Sequence, residues 1–121
     1  MKVLGMNQNK IINQFSKTEF GIIRSSLAEI TGGFKCDIQN VTGWNPNSVD
    51  QLYKVINREY NSFKKRGIEK VIFEFLREEI SVIIKSIAEV MKELEISEYQ
   101  TRTGYKFKEA KELLESTKKD I

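Results

Sequence analysis

Gly67–Ile96 reads GIEKVIFEFLREEISVIIKSIAEVMKELEI, and its interpretation decides the fold. Apolar residues fall at Ile68, Ile72, Phe75, Leu76, Ile80, Ile83, Ile87, Val90, Met91 and Leu94. This is the period of an amphipathic helix, about 3.6 residues per turn, with no Pro and no internal Gly to break it. The spacing predicts one long central helix over residues 67–96, about 40 Å from end to end. Val82 and Ile84 widen the apolar stripe, so this spine needs cover on more than one face. If the other helices leave part of it bare, a second copy of the chain would cover it, and a homodimer is expected on that ground.

The first half of the chain carries the same pattern. EFGIIRSSLAEI at 19–30 aligns with EISVIIKSIAEV at 79–90, with Glu19/Glu79, Ile23/Ile83, Ser26/Ser86, Ala28/Ala88 and Glu29/Glu89 identical. One residue of insertion later, QNVTGWNPNSVDQL at 39–52 faces QTRTGYKFKEAKEL at 100–113. There Gln39/Gln100, Thr42/Thr103, Gly43/Gly104 and Leu52/Leu113 agree, and Trp44 and Tyr105 are both aromatic. An internal duplication is therefore expected, with units at 17–66 and 67–121. Each unit is a helix, a connector, a Thr-Gly-aromatic turn and a second helix. Gly allows positive φ in the turn, and the aromatic residue after it can plug the gap between helices.

Local signals fill in the rest. Ser16-Lys17-Thr18-Glu19 has the form of a capping box and starts a helix over 17–31, which Gly32-Gly33 stop. Asn45-Pro46 starts a helix that closes on Lys64-Lys65-Arg66 and Gly67. Phe34–Thr42 reads as either a strand or a single helical turn, Ser97–Tyr105 as a loop, and Phe107–Thr117 as a last helix. Residues 1–16 hold Val3-Leu4 and Ile11-Ile12 around Asn7-Gln8-Asn9-Lys10, a small β-hairpin, with a short helix over Lys10–Ser16 as the competing reading. The expectation is a mainly α, α+β single domain over 1–121. About four helices, in two duplicated helix–turn–helix units, surround a long central helix, with a small N-terminal β element at 1–16.

Composition narrows the function. The chain of 121 residues has no His and one Cys, which excludes His-based triads, Cys-His pairs and Cys/His zinc sites. Catalysis by carboxylates, Lys or Tyr stays open. No metal or cofactor is expected: Glu109-Ala110-Lys111 resembles the E-x-K of metal-dependent nucleases but falls on a helix, and no glycine-rich phosphate loop or EF-hand spacing occurs. A lone Cys36 fits a reducing cytoplasm, and no apolar run is long enough for a membrane span. The net charge of +3 conceals 20 basic and 17 acidic residues interspersed along the helices.

Two resemblances bear on function. Val49 and Ala110 lie six positions after the turn Gly, and Leu52 and Leu113 nine after it, which resembles the second half of a helix-turn-helix. The small residue usual four before that Gly is replaced by Gln39 and Gln100. EYQTRTGYKFKEAKELL at 98–114 resembles segments of small uncharacterised bacterial proteins that carry E-aromatic-x-T-R-x-G followed by E-A-x-x-L-L. The first would imply DNA reading by Asn47, Ser48, Asp50, Gln51 and Lys54, with Lys64, Lys65 and Arg66 as a basic patch. Asp50, Glu109 and Glu112 oppose phosphates there. The expected function is instead binding of a protein partner without catalysis, in the manner of an immunity protein or inhibitor from a bacterium or phage. Trp44, Arg102 and Tyr105 are its candidate anchors. DNA binding and His-independent catalysis stand as alternatives.

Overall fold

A computed structural model describes residues 1–7, 9–33 and 36–120. Gln8 of the expected hairpin turn, and Phe34 and Lys35 of the connector read as strand or helical turn, lie outside the described residues. The protein is mainly helical, with a three-stranded antiparallel sheet and, among the described residues, six α-helices. The strands are β1 (Lys2–Asn7), β2 (Lys10–Ser16) and β3 (Lys70–Leu76), in the order β1-β2-β3. The helices are α1 (Lys17–Ala28), α2 (Ile38–Thr42), α3 (Pro46–Arg66), α4 (Arg77–Glu93), α5 (Ile96–Thr103) and α6 (Phe107–Asp120). A π-helical turn, Glu29–Gly33, extends α1.

The long central helix is the main correction. Its first part is β3, and α4 begins only at Arg77, so the helix is about 25 Å long rather than 40. Val71, Phe73 and Phe75 alternate, and β-branched and aromatic side chains at that spacing suit a strand with one face on the core. The helical period holds as well, because Ile68, Ile72, Phe75 and Leu76 fall at helical spacing while Val71, Phe73 and Phe75 alternate. Tertiary pairing decides, since β3 closes a seven-residue ladder with β2. The hairpin was thus two strands of a larger sheet, and the segment expected as a loop before Tyr105 is α5. The residues that widen the stripe are covered within the chain, Val82 being 1% exposed and Ile84 packing against the core, while Ile72 and Ile96 are exposed.

The β2–β3 register relates the two halves. Asn13 lies opposite Phe73, its own counterpart sixty residues on. On either side the pairs exchange: Ile11 faces Phe75 and Phe15 faces Val71, where Ile11 corresponds to Val71 and Phe15 to Phe75. An antiparallel ladder in which a residue faces its own counterpart has a local twofold axis through that pair. The helices follow the same exchange, α2 of the first half packing on α4 and α5 of the second on α1. One core cluster draws on both halves. Phe15, Phe20, Phe63, Phe73 and Phe75 form its aromatic centre, with ring centroids 4.6–5.8 Å apart.

Local chemistry also recurs. Ser16 Oγ accepts the amide of Glu19 at 3.0 Å, and Glu19 Oε1 accepts the amide of Ser16 at 2.8 Å, a full capping box. Leu76 has no acceptor to offer, so only the return half survives there, its amide donating to Glu79 Oε1 at 2.6 Å. Both Thr-Gly turns are built alike. Thr42 Oγ1 donates to the carbonyl of Ile38 and receives the amide of Trp44, at 2.7 and 3.1 Å. Thr103 Oγ1 does the same between Tyr99 and Tyr105, at 2.7 and 3.2 Å. Gly43 and Gly104 sit at φ of 82° and 81°, a conformation that costs a residue with a Cβ.

Candidate interaction surface

The two turn aromatics are differently employed. Tyr105 packs over α1 at Gly21, where an added Cβ would fall 1.8 Å from its hydroxyl oxygen and 2.6 Å from Cζ. Its hydroxyl lies 3.1 Å from that of Tyr60, over whose ring Arg24 stacks at 4.6 Å. Burial, then the neighbouring Tyr60 hydroxyl, pushes the pKa of Tyr105 far above the ordinary tyrosine value. Arg24 reaches Asn57 Oδ1 at 3.3 Å. Tyr105 is thus a half-buried plug tied to α1 and α3.

Trp44 is half-buried and lines an open groove of about 460 Å³. Ser48, Gln51, Leu52 and Val55 of α3 form the helical wall, with Phe73 and Glu74 of β3 and Glu79 of α4 opposite. Val55 is 39% exposed, and Ile72, on the outer face of β3, is 65% exposed. A second groove, of about 490 Å³, is lined by Glu19, Glu109, Glu112, Leu113 and Ser116. These are the counterparts of Glu79, Ser48, Gln51, Leu52 and Val55, so the two grooves are related as the halves are. In the second groove Met1 supplies part of the wall, and its amino group is paired with Glu19 Oε2.

Arg102 is engaged within the chain. Its guanidinium donates to Glu29 Oε2 at 2.7 Å and to the carbonyl of Gly33 at 2.8 Å, with Glu98 at 3.8 Å. Lys64, Lys65 and Arg66 are exposed at the C-terminus of α3, where Arg66 leans on the Phe63 ring and donates to the carbonyl of Ser62. Cations there complement the helix dipole. Asp50 is paired with Lys54 at 3.1 Å on the face that would read a groove of DNA. The structure therefore brings none of Trp44, Tyr105 and Arg102 into a common site. Phe73 and Ile72, on Trp44's groove and its strand edge, escape sequence reasoning because their strand reads as helix, and Glu79 of α4 is brought to the groove only by that strand. Alternation at Val71, Phe73 and Phe75 was the signal that could have found them.

Among the described residues, no three His, Cys, Asp or Glu side chains are placed to hold a metal ion, and no helix is long and apolar enough to cross a membrane. Burial, and then Glu89, Asp37 and Glu93, raise the pKa of the Cys36 thiol, which disfavours the thiolate. No family model, curated protein or solved structure matches the chain.

Proposed function

We propose that the chain is a non-catalytic interaction protein that binds, and thereby inhibits or neutralises, a protein partner. The observation that carries this reading is Trp44 on an open groove, with the exposed Val55 in the same wall. A half-buried aromatic next to an exposed aliphatic side chain is the composition of an interface core. Trp44 is the anchor in this reading. Tyr105 and Arg102 support it from within, since Tyr60 and Glu29 already engage them. The lone thiol fits action in a reducing cytoplasm. The recurring caps and Thr-Gly turns support descent of the units at 17–66 and 67–121 from one duplicated segment within a single domain, and the β2–β3 correspondence carries the first unit back to Lys10.

Affinity capture from the source cell with wild-type protein and Trp44→Ala tests the proposal. A partner retained at moderate salt and lost with Trp44→Ala, at unchanged circular dichroism, is the expected result. A second reading, nucleic-acid binding, is favoured by the exposed Lys64-Lys65-Arg66 beside a helix pair joined through a left-handed Gly43. Salt-titrated DNA binding separates the two, because affinity for phosphates falls steeply with salt. Tight, salt-sensitive DNA binding with no protein captured would overturn the first reading.

A further inference from the structure

The outer edges of β2 and β3 are equivalent through the local twofold axis but are not equally covered. β2 is flanked by β1, whereas among the described residues β3 has no strand on its far side. Exposure follows this difference position by position. Asn13 is fully buried and its counterpart Phe73 only half-buried; Ile12 is half-buried and its counterpart Ile72 is exposed. Gln14 is half-buried and its counterpart Glu74 exposed. The caps differ in the same sense. Glu19 and Glu79 both spend Oε1 on the amide of the cap residue. Glu19 Oε2 takes the amino group of Met1, at the head of β1. Among the described residues Glu79 has no cation.

We propose that the outer edge of β3 accepts an extended segment of a partner protein as an antiparallel fourth strand, with a cationic group at its leading end on Glu79. This rests on the partner-binding reading and supplies its mode. The chemistry of the occupant comes from β1, which fills the equivalent place. β1 runs antiparallel to β2 with Lys2 opposite Gln14 and Val3 opposite Asn13. Carried through the twofold, the incoming strand has a residue opposite Glu74, then an apolar side chain on Phe73, with its amine at Glu79. An unpaired edge of apolar composition is a template for strand addition, in which backbone hydrogen bonds give affinity and flanking pockets give selectivity. The groove of Trp44 and α3 runs beside that edge and supplies the pocket. A second copy entering by its own β3 would bring its α3 against the same wall, so a lone strand is the better fit.

The test titrates full-length, isotopically labelled protein with the peptide MKVLGMN, amidated at its C-terminus, as a probe of β1 chemistry. A saturable change in the fluorescence of Trp44, the single tryptophan, is expected, with amide shifts centred on Lys70–Leu76 and Glu79. N-acetylation of the peptide, and Glu79→Gln, should each weaken binding about threefold, the scale of a partly exposed ion pair. Gln at that position keeps the return half of the capping box. A peptide N-methylated at alternate residues should not bind. No binding at millimolar peptide would overturn the proposal. Shifts confined to β2, or peptide-independent broadening of β3 that grows with protein concentration, would overturn it too. They would mean displacement of the chain's own β1, or pairing of two copies. Binding at β3 that ignores acetylation and Glu79→Gln would overturn the role of Glu79. A partner captured from cells that stays bound when β3 is saturated with peptide would overturn the edge and leave the binding role standing.

Discussion

β2 and β3 are built to the same plan on their inner faces and to different plans on their outer edges. Phe15 and Phe75 occupy equivalent places, are each 1% exposed, and meet edge to face with centroids 5.8 Å apart. Ile11 and Val71 are equally buried. At the axis the identities diverge, Asn13 against Phe73. The buried Asn13 is held because its amide nitrogen donates to the carbonyls of Ile11 and Phe73, at 2.9 and 3.5 Å. The shared core dictates the inward positions on either side of the axis in both strands. The edges are free to differ because each meets whatever lies outside it.

Breaking the inner equivalence should have the largest effect. Phe15→Ala and Phe75→Ala should each cost about 3–5 kcal/mol in denaturant unfolding, and by similar amounts. The double variant should cost less than the sum, since the rings touch. Clearly unequal costs would show that the two halves do not share the core equally.

A second contrast sets Tyr99 against its counterpart Ile38, which has no hydroxyl. Tyr99 is 0% exposed, and burial raises its pKa to about 12. Ser26 and Thr103 beside the hydroxyl pull weakly the other way. The unfolded chain releases this proton near the ordinary value of about 10, while the folded chain keeps it. Above that pH the native state therefore holds more protons, and stability falls as pH rises through the window from about 10 to 12. Tyr99→Phe should flatten this alkaline limb by about 2 kcal/mol, read from melts across that range. An unchanged limb would assign the loss to Tyr105, whose pKa is also raised.

The smallest effect sharpens the edge difference. Ile72→Thr, at a position 65% exposed, should change stability by no more than about 0.5 kcal/mol. Ile12→Thr, half-buried beneath β1, should cost about 1 kcal/mol or more by the same measurement. Equal costs would mean that β1 does not shield its neighbour.

The sequence made the caps and the recurrence legible, and the strand topology much less so. Asn45, Pro46 and Gly67 bound α3 at the predicted residues, and Ser16–Glu19 forms the expected capping box. These are short-range effects written in two or three adjacent side chains. β3 was hidden because its apolar residues satisfy two periods at once, and only a partner sixty residues away chooses between them. α5 was hidden for another reason: of its eight residues only Tyr99 and Thr103 are buried, too few to show a stripe. Trp44 and Tyr105 were read alike from their shared turn. What separates them is Gly21, which admits the Tyr105 ring against α1 and belongs to a different helix.

The ladder between β2 and β3 also sets an order of events for a chain made from its N-terminus. The β1–β2 hairpin and the helices of the first half can form from contacts close in sequence. The inner edge of β2 cannot be paired until Lys70–Leu76 has left the ribosome. Until then the growing chain shows an apolar strand with one unpaired side, the state most open to wrong pairing. The hairpin partner already in place on the other side of β2 halves that hazard at the moment it is greatest.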